Sequence, residues 1–297
     1  MRIFVTGANG WVGSALIPEL IAAGHQVAGL VRSEEKAGAV RAAGAEPILG
    51  SISDLETLRR AADKADGVAH LAFGIDFSRM AEMAREEQQA IDAFGEVYQG
   101  SERPVIITSG FGLLPAGETF TEDTVTALNV PGFARDPERS GRALAEKGVR
   151  AAWVRLPRSV HGLGERHGFV PMLAAVAREK GFSAYVGDGA NLWPSVHRLD
   201  AARVFRLALE AGARGIAYHA VADEGVPFRL IAEATGGQLG LPVRSVSAEE
   251  AAGHFGPLAM WAAGNGPATS TRTRERLGWV PEQPGLIQDI SQPAYYC

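Results

Sequence analysis

Residues 1–31 constrain this chain more than any other stretch. An apolar run from Arg2 to Thr6 enters the glycine turn TGANGWVG, a helical pattern covers Trp11 to Ala23, and a second apolar run covers Gln26 to Val31. Gly7, Gly10 and Gly13 recur every third residue. A tight turn, a close backbone approach to a pyrophosphate and a close helix-to-strand contact thus each fall on a residue without a β-carbon. Phosphates placed there meet the free N–H groups and the positive dipole end of the following helix. A glycine triplet alone is a weak signal. Here the preceding strand, the apolar helix with Val12, Ala15, Leu16, Leu20 and Ile21, the stop at Gly24 and the second strand supply the β-α-β context of a dinucleotide site.

The end of the second strand bears on which dinucleotide is held. An acid there bonds the adenosine ribose hydroxyls and repels a 2′-phosphate, whereas this chain reads Leu30-Val31-Arg32-Ser33 at the strand end, with no carboxylate until Glu34. Arg32 can stack on adenine and pair with a 2′-phosphate, and Ser33 can add a hydrogen bond. The expectation is a preference for NADP(H), with NAD(H) as the other candidate.

The rest of the chain extends this alternation. SEEKAGAVRAAG reads as a helix capped by Ser33, Glu46 to Leu49 as a strand, Ser53-Asp-Leu-Glu56 as a capping box, and GVAHLAF as a buried strand. The longest helical stripe spans Phe77 to Tyr98, and could cover the sheet or join a homodimer interface. Pro104 to Thr108 and Ala151 to Leu156 are further strands; Asp136-Pro137 caps the helix between them, and Asp200 is read as the cap of AARVFRLALEAG. The pattern predicts an α/β chain with a dinucleotide core over residues 1–156, to which 197–221 return, and a smaller lobe from 157–196 and 222–297.

With 297 residues, 46% of them hydrophobic, and a net charge of -5, the chain has material for a large core and no basic surface suited to nucleic acid. No apolar segment approaches membrane-spanning length, the first strand begins at Arg2, and the single cysteine is Cys297. A cytoplasmic protein acting on a small molecule, without membrane, nucleic-acid or metal partners, is expected.

TGANGWVGSAL, VAHLAF, TSG, RLPRSVHGLGE and HRLDAA follow one another in an order that resembles the extended short-chain dehydrogenase/reductase superfamily, in particular its epimerase/dehydratase-like and dihydroflavonol-reductase-like members. The resemblance implies a Rossmann-type, doubly wound, mainly parallel sheet carrying NAD(P), a C-terminal substrate lobe and hydride transfer. It implies that Gly7, Asn9, Gly10, Trp11 and Val12 line the pyrophosphate, with Ser51 and Ile52 beside the adenine. Leu71, Ala72 and Phe73 would border the nicotinamide ribose, and Thr108 the polar end of the fifth strand. Pro157 and Val160 would flank the nicotinamide.

The chain departs from the family at its proton donor, a tyrosine followed four residues later by a lysine. None of the five tyrosines has that lysine, and the corresponding positions, near Val130 and Ala134, are blank. The usual serine position holds Gly110, with Ser109 one residue before it. Candidate catalytic groups are therefore Ser109 and Thr108, with His161 and Tyr185 from the second lobe; Arg135, Arg158 and His167 are further donors. The expected activity is an atypical NADP(H)-dependent reductase acting on a small carbonyl or imine. The alternatives are a catalytically silent dinucleotide sensor and a nucleotide-sugar epimerase or dehydratase.

Overall fold

The computed structural model describes residues 1–74, 79–112, 117–125 and 135–296. Strands β1 (Arg2–Thr6), β2 (Gln26–Val31), β3 (Glu46–Leu49), β4 (Gly67–His70), β5 (Pro104–Gly110) and β6 (Arg150–Leu156) alternate with helices α1 (Gly13–Ala22), α2 (Glu34–Ala42), α3 (Leu55–Asp63), α4 (Met80–Tyr98) and α5 (Pro137–Glu146). The smaller lobe begins with β7 (Ser159–His161), α6 (Phe169–Lys180), β8 (Ser183–Val186) and β9 (Leu192–His197). After α7 (Arg198–Ala211), β10 (Ala217–His219) rejoins the main sheet. The chain then returns to the lobe through β11 (Asp223–Pro227), α8 (Phe228–Leu239), β12 (Val243–Val246), α9 (Ala248–Phe255), α10 (Ala259–Ala263), α11 (Thr271–Leu277) and α12 (Leu286–Ile290).

The main sheet has the order β10-β6-β5-β4-β1-β2-β3, and each pairing within it is parallel. This is the Rossmann order, with its topological switch between β1 and β4. The strands are apolar on both faces because both faces are covered. In β1, Ile3 and Val5 point into a core shared with α1, α2 and α7, while Phe4 points the other way into a core shared with α3, α4 and α5. Truncating Phe4, which is fully buried, to alanine is expected to cost about 3–5 kcal/mol. The lobe has its own core, in which Trp193 packs on Phe169 and Phe228 beside the sheet β11-β9-β7 and the pair β12-β8.

Several helix starts differ from the sequence reading. Helix α1 begins at Gly13 rather than Trp11, since the glycine turn itself occupies residues 7–12. Asp54, not Ser53, caps α3 by accepting from Thr57 N–H, and Ser33 stands at the start of α2 without a capping bond. His197 caps α7, freeing the Asp200 carboxylate to accept from the backbone N–H groups of Glu282 and Gln283. Asp200 thereby ties the C-terminal segment to the main domain. The Asp136-Pro137 start of α5 and the Ser247–Glu250 capping box of α9 form as their spacing dictates.

Candidate active site

The end of β1 is built to receive a phosphate. Gly7 has φ +66°, and a Cβ there would come within 2.9 Å of Ala72 N; a Cβ at Gly13 would overlap the carbonyl oxygen of Gly7. The turn is closed by Gly10 N–H donating to Gly7 O at 2.9 Å. No side chain caps the start of α1, so the positive end of its dipole faces the turn, while the N–H groups of Ser14, Ala15 and Leu16 donate to the turn's own carbonyls at Gly10 and Val12. The Thr6 hydroxyl accepts from Leu71 N–H and Ala72 N–H at 3.1 and 3.2 Å and lies 2.8 Å from His70 Nδ1. Burial, then the charge of Arg135, holds the His70 pKa down at about 3, so its ring is neutral and Nδ1 accepts the Thr6 proton. That node fixes residues 71–73 against the glycine turn. Trp11 joins the turn to the second lobe: its Nε1–H donates to Val160 O at 2.6 Å, and Arg198 stacks 4.0 Å above its ring.

A cavity of about 720 Å³ runs outward from this turn. Gly7, Asn9, Gly10, Trp11 and Val12 line one wall; Arg32, Ser51 and Ile52 lie toward the end of β2. Leu71, Ala72 and Phe73, then Thr108 and Ser109, continue along the strand ends, with Pro157 and Val160 opposite. The expected cofactor-lining residues thus share one cavity, with Ser33 the exception: it is not part of the lining. The glycine cradle and the uncapped helix end fit a dinucleotide.

Beneath the ends of β5 and β6 lies a buried ionic layer. Ser109 Oγ donates to Glu138 Oε1 at 2.8 Å, and Arg155 grips both oxygens of Glu138, each at 2.7 Å. Thr108 Oγ1 donates to His70 O at 2.9 Å. Both hydroxyl protons are therefore directed into the protein, and neither Ser109 nor Thr108 is set to donate into the cavity. Arg135, one of the further donors, also lines the cavity, but its Nε and Nη2 are held by Glu87 at 2.7–3.1 Å and Phe73 covers it at 4.1 Å. Val130 and Ala134 lie outside the described residues.

The second-lobe candidates are dispersed. His161 is fully buried away from the cavity, with Nδ1 2.7 Å from Asp289 Oδ2. Tyr185 sits on β8 beside Arg229, also off the cavity, so neither residue meets a substrate held there. His167 lines the cavity but is exposed, and Trp193 packs in the lobe core while its neighbour Phe169 lines the wall. Glu165 is a lining residue that the sequence reading passed over, its signal being an acid in the GLGERHG loop. It is 6% exposed and accepts a hydrogen bond from the Tyr295 hydroxyl. Burial raises its pKa to about 7, with the Asp289 charge adding to the rise and the Tyr295 bond opposing it. Among the described residues no cluster of three or more His, Cys, Asp or Glu could hold a metal, and no helix is long and apolar enough to cross a membrane.

Residues 7–158 match the NAD(P)H-binding family. The chain is 47% identical over 298 residues to an uncharacterized protein of Schizosaccharomyces pombe, covering 100% of both. It is 41% identical over 292 residues to one of Saccharomyces cerevisiae, covering 98% of both. It is 29% identical to a 4-hydroxy-2-methyl-3-oxo-4-farnesyl-3,4-dihydroquinoline-1-oxide ketoreductase of Stigmatella aurantiaca, over 77% of this chain and 70% of that one. Among solved structures it is similar to dTDP-glucose 4,6-dehydratase from Streptomyces venezuelae with NAD bound, at TM-score 0.77 and 21% identity, covering 100% of this chain and 96% of the other. A UDP-glucose-4-epimerase from Stenotrophomonas maltophila with bound NAD gives TM-score 0.76 and 18% identity, covering 99% and 97%.

The expected preference for NADP(H) is overturned by such neighbours: six similar structures, those of the dTDP-glucose dehydratase and the UDP-glucose epimerase among them, contain NAD. The physical reason lies at the end of β2. Arg32 is exposed and has no hydrogen bond or ion pair among the described residues, and Ser33 is turned out of the lining, so no ordered pair of donors waits for a 2′-phosphate. The glycine cradle, the switch-point sheet and the match over residues 7–158 make the chain a member of the NAD(P)H-binding family, an enzyme whose Rossmann-type fold is like that of the dTDP-glucose dehydratase and the UDP-glucose epimerase.

Proposed function

We propose that the enzyme carries out NAD(H)-dependent hydride transfer at a carbon bearing a hydroxyl or carbonyl group, with Glu165 exchanging the substrate proton. One observation carries this reading: the cavity continues without a break from the glycine turn to Glu165, Phe169 and Trp261. NAD(H), when bound, supplies or accepts the hydride. Gly7, Gly10 and the start of α1 hold its phosphates, and Leu71, Phe73, Pro157 and Val160 close the walls beyond them. Glu165 is half-ionised near neutral pH, which lets it give a proton to a forming alkoxide or take one from an alcohol. Phe169 and Trp261 present apolar surface to the rest of the substrate.

A second reading, oxidation of a nucleotide-sugar hydroxyl as the opening step of epimerisation or dehydration, is favoured by the full-chain similarity to the dTDP-glucose dehydratase, which includes the second lobe. Both readings interconvert an alcohol and a carbonyl, the reductase adding hydride and proton to the carbonyl and the second reading removing them from the alcohol. The test is transfer of deuterium from 4-deuterated NADH to a panel of ketones, run beside incubation of dTDP-glucose and UDP-glucose with NAD. Label in a product alcohol supports the reductase; a changed sugar nucleotide supports the second reading. NADH binding without either outcome would sink both and leave a dinucleotide-binding protein without turnover.

A further inference from the structure

Arg135, Arg155 and Arg158 are the buried arginines among the described residues. Two have carboxylate partners: Arg135 pairs with Glu87 and Arg155 with Glu138, each at 2.7 Å. Arg158 has none. Its Nη1 donates to Gly264 O at 2.8 Å and its Nη2 makes a long bond of 3.4 Å to Gly112 O, while its Nε–H has no partner. Its pKa falls to about 10 through burial alone, without any neighbouring charge to oppose the fall.

The guanidinium is nevertheless held in place. Trp193 and Trp261 each lie 5.6 Å from it, and a Cβ at Gly266 would come to 2.9 Å from Nη2, so the glycine leaves room for the head group. Aromatic faces and carbonyl oxygens compensate a desolvated cation only in part. Arg158 also lines the cavity between Pro157 and Val160, beside the residues assigned above to the cofactor end. A cation 7% exposed, without an acid, on a ligand cavity wall lacks the partner that a ligand would bring.

We propose that the substrate carries an anionic group, a carboxylate or a phosphate, which is seated on Arg158. This rests on the reading that the cavity takes a substrate beside NAD(H), and it narrows that substrate to an acid. Trp261, 5.6 Å from the guanidinium, and Phe169 line the same cavity and receive the apolar part. Arg158 acts here as an orienting group: it fixes which end of the substrate faces the strand ends, and no bond to it forms or breaks.

The experiment uses NADH-loaded protein and reads binding through the fluorescence of bound NADH, so it does not depend on turnover. The carboxylate probes are pyruvate, acetoacetate and 4-oxopentanoate, each paired with its methyl ester; the phosphate probes are inorganic pyrophosphate and UDP. The acids, or the phosphates, should bind at least about tenfold more tightly than the neutral esters. Tighter binding of one set identifies the source of the charge. Arg158→Met should remove that preference and Arg158→Lys should keep part of it, with NADH affinity unchanged in both. Equal binding of acids and esters to the wild-type protein, with no phosphate binding, would overturn the proposal, as would an Arg158→Met protein that binds anions as the wild type does. Should Arg158→Met fail to bind NADH, the wild-type comparison of acids with esters still decides. Anion binding with no deuterium transfer would leave the anion seat standing and count against the hydride reading alone.

Discussion

The hydroxyl of Ser109 lies 2.8 Å from Oε1 of Glu138 and gives its proton to that carboxylate. A serine at this strand end is expected to polarise a substrate carbonyl. Here it completes the coordination of an acid already gripped by Arg155, which in turn donates to the neutral ring of His219 at 3.1 Å. Ser109→Ala should therefore reduce stability by about 1 kcal/mol, the worth of one buried hydrogen bond, and leave turnover within a few-fold. Glu138→Gln removes the carboxylate facing Arg155 and should cost about 3–5 kcal/mol. Urea unfolding of both variants checks the ratio. A collapse of turnover in Ser109→Ala with unchanged stability would return the serine to catalysis.

His161 and Asp289 form a second buried pair, linking β7 to α12 across the lobe. Asp289 is 2% exposed and also lies 3.8 Å from His197, so it serves two histidines from one position. Asp289→Asn weakens this charge-assisted bond and should lower stability by about 1.5–3 kcal/mol, with little change in NADH affinity. Thermal unfolding and NADH titration of the same sample separate the two effects. A large loss of NADH affinity at unchanged stability would contradict a structural role for His161.

The turn that defines the fold was legible because its chemistry is local. Gly7, Gly10 and Gly13 are identified by spacing, and the strands that follow by unbroken apolar runs, which only a sheet covered on both faces produces. The Asp136-Pro137 and Ser247–Glu250 helix starts were legible for the same reason, since a cap and its acceptor lie within one turn. The site beyond the cofactor was not. Glu165 owes its raised pKa to burial that no window of sequence records, and the hydrogen bond that opposes the rise comes from Tyr295, 130 residues away. His161 looked like a loop donor, but Asp289, 128 residues on, fixes it in the core. Arg32 was read as a phosphate selector from its place at a strand end; selection also needs that side chain to be held, and it is not.

Gly13→Ala tests the cradle directly. Its Cβ would overlap the carbonyl oxygen of Gly7, which is backbone and has no rotamer to escape into. The turn must open, so NADH affinity should fall at least about a hundredfold, with a loss of stability of about 1–3 kcal/mol from the overpacked contact. Fluorescence titration measures the first and urea unfolding the second. Retained NADH affinity would show that the dinucleotide is held elsewhere.

Arg32 offers a cleaner experiment, because it is exposed and its removal disturbs no packing. NADH should bind at least as tightly as NADPH, and Arg32→Ala should change NADH affinity by no more than about threefold, as expected for a surface side chain without an ordered partner. Parallel titrations of both nucleotides against both proteins give the answer. An NADPH affinity well above that for NADH, lost in Arg32→Ala, would reverse the assignment.

Glu165 links proton transfer to pH. Its ordinary pKa of 4.5 is raised to about 7 in the folded protein, so the folded state keeps a proton that the unfolded state has released across that interval. The stability it contributes is complete below about pH 4.5 and is lost as pH rises toward 7; Glu165→Gln, which stays neutral, should lack this decline. Catalysis follows the same group with its own sign. The protonated form donates in the reductive direction, so kcat for reduction should fall as pH rises through about 7, while the oxidative direction should gain over the same range. Glu165→Gln should lower kcat by about 10²–10⁴-fold in both directions and flatten both profiles. Tyr295 separates a proton donor from a merely buried acid: its hydroxyl donates to Glu165 and favours the charged form, so Tyr295→Phe should move the descending limb to higher pH and leave NADH binding intact. A limb that stays in place in Tyr295→Phe, or survives in Glu165→Gln, would mean that another group gives the proton.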